Sequence, residues 1–235
     1  LVPHVVERGE YIIHEDENAG SGIFFVVSGT VEVLKKTSRT SKSIGPNNVK
    51  VLVTLGPPAC FGEFAFLTED PRMASVKAVS HCTLWQMEKT DFHRLFQSLP
   101  PSVINEILTV AFKKRTANML NTYPLNTSVL AEYSLFAKCN KPVLQRVIPA
   151  IRPFAVPKGT VICKADEAPK VIFFLRRGKC GVYRYVRERK EDVHILTLNV
   201  PAVMGDDAVI FNSTHSTTIK AMTNCDLYIL PKDDF

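Results

Sequence analysis

The stretch FGEFAFLTEDPRMASVKA, residues 61–78, sets the carboxylate of Glu63 nine positions before the guanidinium of Arg72, with Gly62 ahead of both and Pro71 just before the arginine. A guanidinium presents a planar fork of N–H donors that suits phosphate oxygens. A carboxylate only accepts, so beside a bound phosphate it needs hydroxyl donors on the same ligand, as a ribose supplies. The same two charges could also be a structural ion pair bracing a turn. Locally, Pro58 and Gly62 make a turn after the strand VLVTLG. EFAFLT then gives about one to one and a half helical turns, and Asp70-Pro71 stops it, because a residue before proline is pushed out of the helical region. ASVKAV resumes strand. A helix that opens after a glycine turn offers backbone N–H groups to an anion, and Arg72 returns close to that end.

The elements that must position this pair are written twice. VVERGEYI (5–12) returns as AVPKGTVI (155–162), and GIFFVVSGTVEV (22–33) returns as KVIFFLRRGKCGVY (170–183). The first pair has its glycine before a β-rich stretch, and the second reads as an aromatic-rich strand, a glycine turn and a second strand, a hairpin. The opening segment itself returns as MGDDAVIFNSTHSTTIKA (204–221). From Gly62 and Gly205 onward the offset is constant at 143, pairing Ala78 with Ala221, Leu84 with Leu227 and Phe92 with Phe235. Short strands bounded by glycine, proline and polar turns indicate a sandwich or rolled barrel in each copy. SKSIGPNNVK (41–50) and RERKED (187–192) are the matching polar loops.

Between the copies the period changes. Val103, Ile104, Ile107, Leu108, Ala111, Phe112 and Met119 recur at three- and four-residue spacing after Pro100-Pro101, which predicts an amphipathic helix with Lys113, Lys114 and Arg115 on its other faces. NTYPLNTS (121–128) breaks it, and short helical pieces lead into the second copy. The expected division is a first domain over 1–98, a connecting helix and linker over 99–128, and a second domain over 129–235. The first copy begins directly in a strand and the second stops at PKDDF, so the sequence reads as an excerpt lacking the outer helices.

A chain of 235 residues at 46 % hydrophobic can bury one large or two small cores. No apolar run is long enough to span a membrane, and LVPHVVERGEY lacks the order of a secretory signal, which indicates a cytoplasmic protein. Six scattered cysteines without metal-ligand spacing fit reduced thiols. The net charge of +6 suits either an anionic partner or plain solubility. The cluster Arg176, Arg177, Lys179, Arg184, Arg187, Arg189 and Lys190 reads as a solvated hairpin face, with docking of an acidic partner as the alternative. Phe24, Phe25, Phe173 and Phe174 read as core strand residues, and Trp85 as packing, in the place where the second copy has Tyr228. The six histidines include no H-x-H pair, and no Ser/His/Asp or Cys/His arrangement stands out, so a metal-dependent or hydrolytic enzyme is not expected. Charge alone is weak support for nucleic acid.

Residues 61–74 resemble the phosphate-binding cassette of cyclic nucleotide-binding domains: phenylalanine-glycine-glutamate, a short apolar helix, then proline-arginine-alanine-alanine-threonine. The resemblance extends through GIFFVVSGTVEV and the Asp91-Phe92 helix start and covers nearly all of both copies. It implies a mainly β fold with helices, two β-roll or jelly-roll domains joined by a helical linker. It also implies a ligand site in which Glu63 holds the ribose 2′-hydroxyl and Arg72 the cyclic phosphate. Backbone amides from Gly62 through Phe64 and Ala65 complete the cradle, and Met73 and Ala74 follow the arginine. The cGMP-preferring pattern places threonine after the arginine; Met73 stands there, so the resemblance favours cAMP as ligand, with no other cofactor.

The second cassette departs from the pattern. Asp206 follows Gly205 in place of glutamate, Asp207 adds a second charge before Ala208, and His215 followed by Ser216 holds the arginine position. An imidazole, mostly uncharged at neutral pH, cannot make the two-pronged contact, so this site is expected to have lost cyclic nucleotide or to take something less anionic, such as a nucleoside. Tandem copies resemble the regulatory subunits of cAMP-dependent protein kinase. That implies a non-catalytic module in which cAMP at the first site biases the 102–121 helix, with a protein effector such as a kinase catalytic subunit as partner. The alternative is a tandem scaffold or nucleoside-binding regulator that binds no cyclic nucleotide.

Overall fold

The computed structural model describes residues 1–18, 22–36, 48–186 and 190–235. Most of the loop expected at 41–50 and the loop residues 187–189, with Arg187 and Arg189, lie outside the described residues. The chain divides into two compact units, Leu1–Ala111 and Phe112–Phe235.

In the first unit, β1 (Val2–Val6), β2 (Tyr11–Ile13), β3 (Ile23–Ser28), β4 (Val31–Lys36), β5 (Val49–Leu55) and β6 (Cys60–Phe61) precede helix α1 (Glu63–Thr68); β7 (Ser75–Ala78), β8 (Cys82–Met87) and α2 (Lys89–Gln97) follow. These strands form two four-stranded sheets, β1-β8-β3-β6 and β2-β7-β4-β5, in the roll expected from the sequence. Helix α3 (Pro101–Thr122) contains the boundary between the units. The second unit adds α4 (Thr127–Ala131), α5 (Lys141–Val147), β9 (Arg152–Val156), β10 (Val161–Cys163), β11 (Val171–Arg177), β12 (Lys179–Val186), β13 (Glu191–Asn199), β14 (Ala202–Met204), α6 (Asp206–Ile210), β15 (Thr218–Ala221) and β16 (Cys225–Pro231). Its sheets, β14-β11-β16-β9 and β10-β15-β12-β13, repeat the order of the first unit.

The expected strand-glycine-strand hairpins are not hairpins: β3 and β4 belong to different sheets, as do β11 and β12. Gly29 is the corner between β3 and β4. Its φ is +86°, and a Cβ there would lie 2.3 Å from the carbonyl oxygen of His81, so only glycine lets the chain pass from one sheet to the other.

The inner cores correspond position by position. Val6, Ile13, Phe61 and Leu84 of the first unit are matched by Val156, Cys163, Met204 and Leu227 of the second. The outer faces differ. In the second unit Ile172, Phe174, Tyr228 and Leu230 pack under Met119, Leu130, Tyr133 and Phe136 of the helical segment. Strand β16 is therefore buried on both sides and reads as an apolar run broken only by Asp226. In the first unit the same face leaves Leu1 62 %, Val5 61 % and Trp85 41 % exposed. Trp85 thus does not pack as its counterpart Tyr228 does; Tyr228 is fully buried and donates its hydroxyl to Tyr123 O at 2.6 Å.

Helix α3 carries the expected apolar stripe, but Arg115 lies in that stripe and not on another face. Its Nε and Nη2 donate to Oδ1 and Oδ2 of Asp226 on β16, and both side chains are buried within the second unit. Beside it, Thr116 Oγ1 accepts from Ala155 N at 3.1 Å. Arg176 likewise leaves the expected solvated face: its Nη1 is 3.7 Å from Glu132 Oε2 and its guanidinium lies over the Tyr123 ring. None of the described helices is long and apolar enough to cross a membrane.

Candidate functional site

In the first unit, β6 pairs with β3 through Phe24–Phe61 and Phe25–Cys60, which fixes where α1 begins. Gly62 turns the chain into α1 with φ of +83°. A Cβ at this position would lie 2.7 Å from Arg72 Nη1, so the guanidinium packs directly on the glycine corner. Glu63, Phe64 and Ala65 form the first turn, with Ala65 buried. Phe66 anchors the helix against Phe92 of α2, edge-on at 4.8 Å. The helix stops at Thr68, with Glu69 left-handed, one residue before the Asp70-Pro71 stop read from the sequence.

Arg72 is buried, with 2 % of its surface exposed. Its Nη1 donates to Gly62 O at 2.6 Å and its Nη2 to Gly22 O at 2.7 Å. Burial lowers its pKa from the ordinary arginine value, opposed by the nearby carboxylates of Glu17 and Glu63. The structure therefore brings Gly62, Glu63 and Arg72 together at the mouth of α1, with Met73 and Ala74 half-buried on the arm leading to β7. A guanidinium carries five N–H donors, so one side chain can hold two carbonyls and a ligand oxygen together. The arm is laced to the segment after β2 by main-chain bonds, Asp16 N to Arg72 O at 2.8 Å and Arg72 N to Glu17 O at 2.7 Å.

Further residues around this arm have no signal in the sequence. Lys35 Nζ reaches Glu15 Oε1 at 2.7 Å and Met73 O at 2.6 Å. Lys36 N donates to Glu15 Oε2 at 2.9 Å, and Glu15 N donates to the Ser75 hydroxyl at 2.9 Å. They meet because β4 and β7 are neighbours in one sheet.

The second unit repeats the backbone and changes the side chains. Asp166 N donates to His215 O at 2.9 Å and His215 N to Glu167 O at 3.0 Å, the same lacing. Gly205 is left-handed with φ of +78°, and a Cβ there would lie 3.0 Å from His215 Cε1, so the imidazole occupies the guanidinium's position. Asp206 and Asp207 open α6; Asp207 Oδ1 accepts from Ala208 N at 2.8 Å. Ser216 is exposed. Cys163 lies beneath this corner, at the position of Ile13 in the first unit. Burial pushes its thiol from 9.0 up to about 12, and Asp207 and Asp206 act in the same direction. The neutral thiol favours the fold, a contribution fully present below pH 9.0 and lost as the pH rises through about 12. Iodoacetamide at about pH 8 is expected to modify Cys163 only after unfolding, and labelling of the native chain at the rate of an exposed thiol would contradict this.

The cyclic nucleotide-binding domain model matches residues 3–99 and 153–235, both repeats. The cAMP-dependent protein kinase regulatory subunit of Yarrowia lipolytica is 22 % identical over 229 residues, covering 97 % of this chain and 52 % of that protein. The cGMP-dependent protein kinase 2 of Homo sapiens is 25 % identical over 218 residues, covering 93 % of this chain and 24 % of that protein. The chain therefore spans about half of the first relative and about a quarter of the second. Among solved structures, the regulatory domain of Toxoplasma gondii PKA with cAMP aligns at 20 % identity with a TM-score of 0.44, over 100 % of this chain and 79 % of that one.

Proposed function

Since the chain belongs to the cyclic nucleotide-binding domain family and carries that domain twice, we propose that it is a regulatory module which binds cAMP in its first unit and not in its second. The observation that carries this reading is the contrast between the two glycine corners. Arg72 packs on Gly62 beside Glu63, whereas His215 packs on Gly205 beside Asp206 and Asp207. A fixed cation next to a ribose acceptor matches a cyclic phosphate; an imidazole next to two carboxylates does not. In this reading the domains are 1–98 and 129–235, and α3, between them, passes ligand state to a protein effector such as a kinase catalytic subunit. A ligand shifts that helix only by its difference in affinity for two arrangements.

Calorimetry near neutral pH is expected to give one cAMP per chain, bound more tightly than cGMP. No heat and no thermal shift at millimolar cAMP would overturn the reading, and two equivalent sites would overturn its second half.

A further inference from the structure

We propose that Lys35 and Glu15 are positioning residues for the first unit's ligand site, holding the arm that carries Arg72. This rests on the functional reading of that site. The Lys35 ammonium joins three pieces of chain: its own strand β4, the turn after β2 through Glu15, and the arm through Met73 O. Side-chain exposure is only 16 % for Lys35 and 7 % for Glu15, so this is not a surface ion pair screened by water and salt. The carboxylate's second oxygen is held by Lys36 N, which leaves the pair little freedom to rotate away. The carbonyl of Met73 and the N–H of Ala74 belong to one planar peptide unit, so anchoring the oxygen also fixes the direction of that amide. Arg72 is the next residue back along the arm. Its guanidinium reaches Gly62 and Gly22 only if the arm stays where it is.

The chain itself separates a need of the fold from a need of the site. In the second unit the positions of Glu15, Lys35 and Met73 are taken by Ala165, Arg184 and Ser216, and Arg184 and Ser216 are exposed. The roll still forms there, with the same main-chain lacing and with Thr218 Oγ1 accepting from Ala165 N at 3.2 Å where Ser75 accepts from Glu15 N. The ionic brace is therefore dispensable for the fold. It is present in the unit that keeps Glu63 and Arg72, and replaced in the unit that has Asp206 and His215.

The test uses Lys35→Met, which keeps the stem and removes the ammonium, and Glu15→Ala, which copies the second unit. In the ligand-free chain each is expected to raise amide exchange at Met73, Ala74 and Ser75 by about tenfold, with residues 215–218 as an unchanged internal control. With ligand, each is expected to weaken cAMP about tenfold while changing adenosine little, since adenosine lacks the phosphate that Arg72 meets; Lys35→Arg should restore most of the loss. Unchanged exchange at Met73–Ser75 overturns the proposal whatever the ligand does. Equal weakening of cAMP and adenosine also overturns it, by assigning the pair to general stability. If the unaltered chain takes no cAMP, the functional reading fails, and the exchange measurement still decides the brace.

Discussion

Arg72→Ala is expected to weaken cAMP binding by about ten- to over a hundredfold, the equivalent of losing a charge-assisted hydrogen bond of roughly 1.5–3 kcal/mol. The geometry adds a second consequence. Arg72 donates to Gly62 O and Gly22 O in a buried setting, so the alanine variant also strips both carbonyls of a donor. Part of the loss will therefore appear without ligand, as a lower melting temperature and faster exchange around Gly62. Arg72→Lys separates the two: it keeps the charge but replaces the planar fork by a point donor, and it should fall between wild type and alanine. Affinity is to be measured by calorimetry at a temperature where circular dichroism reports each variant folded. Unchanged affinity in Arg72→Ala would remove the arginine from the site.

Asp226→Ala should cost the second unit about 3–5 kcal/mol, because it leaves the Arg115 guanidinium buried without its bidentate partner. Replacing both, as Asp226→Leu with Arg115→Met, should recover most of that loss, since two apolar groups in the same space need no compensation. With two units in one chain, a single unfolding curve is not a two-state measurement. Amide exchange is the better readout: β11 and β16 should lose protection in the single variant while β3 and β8 keep theirs. If Asp226→Ala stays within about 1 kcal/mol of wild type in the second unit, the ion pair is not sustaining the contact between α3 and β16.

The roll was legible in the sequence because it is written twice, and a repeated glycine, proline and apolar pattern is hard to produce without a repeated backbone. Glu63 and Arg72 were legible for a local reason: one short helix and one turn bring them together. What escaped depends on sheet pairing. Glu15, in the turn after β2, and Lys35, on β4, meet only because β2 and β4 flank β7 in one sheet, and nothing in either segment announces the partner. The glycines at 29 and 178 signal a turn whether the chain doubles back or changes sheets, so in sequence such corners look the same as hairpins. Arg115 stands next to Lys113 and Lys114, and charge alone groups it with them. Its true signal was the spacing from Ala111 and Met119, which puts it inside the apolar stripe, and the lone acid in the apolar run CDLYILP was the matching cue.

The lacing that ties residues 72 and 215 to the turn before them is made of main-chain N–H and C=O groups alone. Every amino acid except proline brings both groups, so this lacing, unlike the side-chain bonds of Arg72 to Gly62 O and Gly22 O, does not register which side chain stands at that position. For a duplicated sequence this is a neutral corridor: one copy can drift from arginine to histidine, and its recognition can lapse or change, without passing through a misfolded ancestor. Selection for the ligand then falls on the side chain, while the lacing persists through atoms that every residue but proline shares.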